Sequence, residues 1–174
     1  MRVEMPEGPM FTTRGSSAAI DDETVAYILA ARKQFEDLRQ VAAQLAGLLV
    51  LAAAGGKSAT PDHPMLRAAE QLLSSASEGI RNLRAPAQAR THHESLAQAA
   101  NALERALSCV QAHLWRAVGG VAEIDLILKP LREAYAQLRL ASTALPGFEM
   151  ISFEQACCAP RAHDPSGAGM TIRG

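Results

Sequence analysis

The sequence predicts an all-α domain, an antiparallel up-down four-helix bundle with a non-helical stretch at each end. Three observations lead there. Ala and Leu, the favourable helix formers, fill a composition that is 48% hydrophobic but only 4% aromatic. Four segments carry apolar residues at steps of three and four, the period of an amphipathic helix. Capping and stop signals separate them. The 174 residues fit one domain, divided into an N-terminal arm over 1–20, a helical bundle over 21–145 and a tail over 146–174.

The first helix is expected over about 22–54. Asp21, Asp22 and Glu23 place negative charge where the helix N-terminus favours it, and Ile20 with Val25 has the spacing of a hydrophobic staple. Val25, Ile28, Leu29, Phe35, Leu38, Leu45, Leu48 and Leu49 supply the apolar residues, and Gly55–Gly56 ends the run. The second helix is expected over 61–85. Thr60 is its cap, Pro61 and Pro64 are tolerable only in a first turn, and Pro86 stops it. Thr91-His92-His93-Glu94 has capping-box spacing and opens a third helix over 92–118, which makes His92 and His93 a solvated first turn.

From Leu96 the steps of three and four run without a slip through Leu103, Val110, Leu114, Val121, Leu128, Tyr135 and Leu138 to Leu145, a heptad seam. The register crosses Gly119–Gly120 and Pro130. One long helix would cost about 1 kcal/mol for each Gly and about 3 for the Pro. Arg116 before the glycines and Glu123 and Asp125 after them carry the signs of a helix end and a helix start. A turn at the glycines also leaves four helices of comparable length, the last over 121–145, with Pro130 bending it. Any dimer is then formed by bundle faces. The apolar start of the tail, FEMISFEQACCA, is expected to dock on the bundle, with a mobile remainder.

Charge and composition exclude several function classes. A formal net charge of −1 without a basic stripe argues against nucleic acid. The longest apolar run, Leu45 to Gly56, is too short for a membrane span, and the polar N-terminus has no secretory apolar core. Three cysteines make no disulfide framework, so a reduced, cytoplasmic compartment is the simplest home.

Gly55-Gly56-Lys57-Ser58 resembles the end of a phosphate loop, but Leu51 stands where that loop needs its first Gly, and a helix precedes it in place of a strand. No His follows a Glu by three positions, which removes the di-metal carboxylate chemistry of helical bundles. A phosphotransfer role for His93 lacks the Lys and Gly that should follow; Leu96 and Ala97 stand there. Cys109 and His113, at i and i+4, share a helical face and could bind zinc or copper if Cys157, Cys158 and His163 of the tail fold back over them. Against this, Cys109 flanks the seam as a small apolar filler. No catalytic residue and no required cofactor can be named. The expectation is a non-catalytic bundle acting on another protein or on itself. The alternatives are a thiol or metal sensor built on those five residues and a small-ligand binder with a pocket between helices.

Overall fold

The computed structural model describes residues 20–53, 63–114 and 121–150, and their side chains except at 113, 114 and 121–123. Four helices carry the chain: α1 (Asp22–Ala53), α2 (Pro64–Asn82), α3 (Arg90–Cys109), which runs into a π-helical turn (Val110–Leu114), and α4 (Val121–Ala144). A 3-10 turn, Ala87–Ala89, leads into α3, and no strand occurs among the described residues.

Each adjacent pair runs antiparallel. Gly47 of α1 lies beside Met65 at the start of α2, while Gln34 lies beside Gly79 near its end. Glu70 of α2 receives the side-chain amide of Gln111, and Glu104 accepts from Ser77 Oγ at 2.9 Å, so α3 descends as α2 rises. Arg105 and Glu133 pair at 2.8 Å between α3 and α4, and the π-helical turn also packs on α4. α3 and α4 are therefore separate, antiparallel helices, not one continuous helix. Gly119 and Gly120 themselves, like Gly55 and Gly56, lie outside the described residues. The start of α1 packs near the end of α4, where Ile28 meets Gly147 and Phe35 meets Phe148. α1–α2 and α3–α4 are closely packed hairpins, and they meet across looser seams.

The core reflects the low aromatic content. Leu38, Leu45, Leu48, Leu66, Leu96, Leu103 and Leu138 are its large aliphatics, and buried alanines such as Ala31, Ala99, Ala102 and Ala134 bring the helices close. Among the described residues, Tyr27, Phe35 and Phe148 gather at one end. After α4, Gly147 adopts φ +89°, a left-handed conformation that glycine reaches without strain. That turn sends Phe148 back into the core, where it is 1% exposed.

Several local expectations give way. Ile20 and Val25 are both largely exposed, so they form no staple; Asp21 caps α1 by accepting from the Thr24 amide at 2.7 Å. α2 starts at Pro64, capped by His63 Nδ1, which accepts from the Met65 amide at 3.2 Å. Thr60 and Pro61 lie outside the described residues. α3 begins two residues before His92, behind an Ala89 cap without a side-chain bond, so Thr91–Glu94 is no capping box. His92 is not solvated but fully buried.

Candidate functional site

The heptad seam is where sequence and structure part most informatively. On α3 Leu96, Ala100 and Leu103 are buried, as is Val110 at the π-helical turn, while Leu107 is half-buried beside the buried Ala106. On α4 alternate seam positions are displaced by one residue. Ile127, Ala134 and Ala141 are buried in place of Leu128, Tyr135 and Ser142, while Leu131, Leu138 and Leu145 stay. The reason is close packing: small Ala134 and Ala141 let α4 approach its neighbours in a rotation that turns the bulkier Leu128 and Tyr135 sideways. Tyr135 is left 44% exposed.

These two side chains line a groove of about 570 Å³ between α1 and α4. Its α1 wall is Ala42, Ala43 and Ala46, residues too short to reach across. Leu131, Leu138 and Met150 complete an apolar floor. Three arginines stand around it, Arg39 on α1 and Arg132 and Arg139 on α4, and no Asp or Glu is among the lining side chains. Arg39 is shared with Glu36 of its own helix at 2.9 Å and lies over the Phe35 ring. Arg132 and Arg139 have no carboxylate partner among the described residues.

No known protein family, curated protein or solved structure matches this chain. What the molecule does has to be read from its side chains.

The metal or thiol candidate is divided by the structure. Cys109 is a free thiol, half-buried at the end of α3 and packed against the core. Val110–Leu114, the turn that carries His113, is π-helical. The His113 side chain and all of Cys157, Cys158 and His163 lie outside the described residues. Among the described residues no three His, Cys, Asp or Glu side chains come together as metal ligands.

A second polar feature escaped sequence reasoning. At the aromatic end of the bundle, His92 Nδ1 and the Tyr27 hydroxyl are 2.9 Å apart, both side chains being buried. The His92 ring lies 4.1 Å from the Phe148 ring and nearly perpendicular to Tyr27, and the His93 ring lies 6.2 Å from that of Tyr27. Burial first, and the neighbouring His93 charge second, push the His92 pKa down to about 4. Burial also pushes the Tyr27 hydroxyl up. His92 is thus neutral at pH 7. If Tyr27 donates to Nδ1, the proton of the ring resides on Nε2, a buried atom with no partner among the described residues. A neutral histidine wedged between aromatic rings packs as a polar member of this end of the core. One signal was available: the spacing from Ala89 through His92 and Leu96 to Ala99 continues the buried face of α3 backwards.

Proposed function

We propose that this protein is a non-catalytic bundle that works by binding another protein, and that the groove between α1 and α4 is its binding face. The observation that supports this reading is the displacement of Leu128 and Tyr135. Two large apolar side chains at heptad spacing, left half-exposed beside a row of alanines, form a concave apolar surface with a polar rim. Tyr and Arg, both present here, are the residue types that most often anchor interfaces. No helix among the described residues is long and apolar enough to cross a membrane, so a membrane-embedded role draws no support from them. A cytoplasmic setting fits the odd cysteine count and forms part of the proposal.

The test is photocrosslinking in cells with benzoylphenylalanine placed at Ala43, inside the groove, and at Leu140, an exposed apolar residue that does not line it. The proposal expects an adduct with a second polypeptide of defined mass from position 43 and none from position 140. Adducts from 140 alone, or from neither, contradict it.

A further inference from the structure

We infer that the groove accepts an amphipathic helix from a different protein, about three turns long and acidic along its flanks; this rests on the reading of the groove as a protein-binding face. Length and shape come from the α4 wall. From Leu128 to Arg139 the lining residues extend roughly 16 Å at 1.5 Å per residue, which is the length of three helical turns. The opposite wall is alanine, and small residues let an incoming backbone approach closely, so a helix laid along the groove can present side chains at i, i+3 and i+7 to Leu128, Leu131 and Tyr135.

The sign of the flanks comes from charge. Arg132 and Arg139 stand two turns apart on one edge, Arg39 stands on the other, and among the described residues no carboxylate lines the groove to neutralise them. Glu36 already engages Arg39, so Arg132 and Arg139 are the cations left for a partner. Carboxylates seven residues apart on the docked helix would meet both, and a lysine-flanked helix would be repelled. The same arginines argue against a second copy of this chain. A two-fold dimer presents the same patch from both sides, so Arg132 and Arg139 would face a second groove with arginines and no lining carboxylate among the described residues.

The experiment uses the full chain and two synthetic peptides of about 16 residues, identical in a Leu/Ala apolar face and flanked by either glutamates or lysines. Affinities are read by fluorescence anisotropy, and far-UV circular dichroism confirms that each variant is helical. The glutamate peptide is expected to bind at least about tenfold more tightly, with a preference that shrinks as salt is raised. Arg132→Glu with Arg139→Glu, both exposed positions, should reverse the preference, and Ala43→Trp should block both peptides by filling the groove. Equal affinities, or a preference unchanged by the double variant, overturn the acidic-helix inference; if Ala43→Trp still blocks binding, the groove survives as a binding face. Binding that ignores Ala43→Trp overturns both. Sedimentation of the free protein as a dimer that Ala43→Trp dissociates assigns the groove to a second copy and overturns the inference.

Discussion

His92 shows how much one buried side chain can govern. Its ring is fully enclosed by α1, α3 and the turn after α4, and Tyr27 meets its Nδ1. In the unfolded chain an ordinary histidine titrates at 6.5, whereas here the pKa is pushed down to about 4. Between those values the unfolded chain binds a proton that the folded chain refuses. Stability from this group is therefore complete above about pH 6.5 and falls as pH drops toward 4. At pH 5 the loss is about 2 kcal/mol, at 1.36 kcal/mol per pH unit below the unfolded pKa. Urea unfolding at pH 7 and pH 5 measures it. His92→Gln, which keeps a hydrogen-bonding group but no titration in this range, should lose that much less stability over the same interval. Parallel pH profiles for the two proteins would refute the assignment.

At the scale of elements, α4 decides the function proposed. If Leu128 and Tyr135 line a groove while Leu138 belongs to the core, truncations should separate cleanly. Leu138→Ala removes a fully buried side chain and should cost 2–5 kcal/mol. Tyr135→Ala, at an exposed position, should cost less than about 1 kcal/mol and yet weaken peptide binding at least about tenfold. Thermal melts and anisotropy on the two variants check this, and a Tyr135→Ala cost matching that of Leu138→Ala would return Tyr135 to the core. The bounds of α1 and α4 were legible in the sequence, expected over about 22–54 and 121–145 and observed at Asp22–Ala53 and Val121–Ala144. By contrast α2, expected over 61–85, spans Pro64–Asn82, and α3, expected from 92, begins at Arg90. The face of α4 was not legible. A pattern of steps of three and four fits two adjacent registers when alanines flank the leucines, and the choice between 127/134/141 and 128/135/142 depends on what α1 and α3 offer opposite. The burial of His92 was hidden for a related reason: it needed a phenylalanine that returns from beyond α4 by way of Gly147, a contact without local pattern.

For the whole molecule, two tight hairpins leave a concave seam between α1 and α4, and the charged residues that line it among the described residues are arginines. On the proposed function, binding uses an edge of the bundle without opening its core, so free and bound forms should share the same helices. The candidate site was half legible. Helix–helix association followed from the seam, but the groove and its arginine rim required knowing which residues of α1 face α4. The direct measurement is methyl NMR of the full chain titrated with the glutamate-flanked peptide. The Ala43, Ala46 and Leu128 methyls should shift and saturate together, while those of Leu126 and Leu140, exposed but outside the groove, stay in place. Shifts centred on Leu126 and Leu140, with the groove methyls silent, would contradict the account.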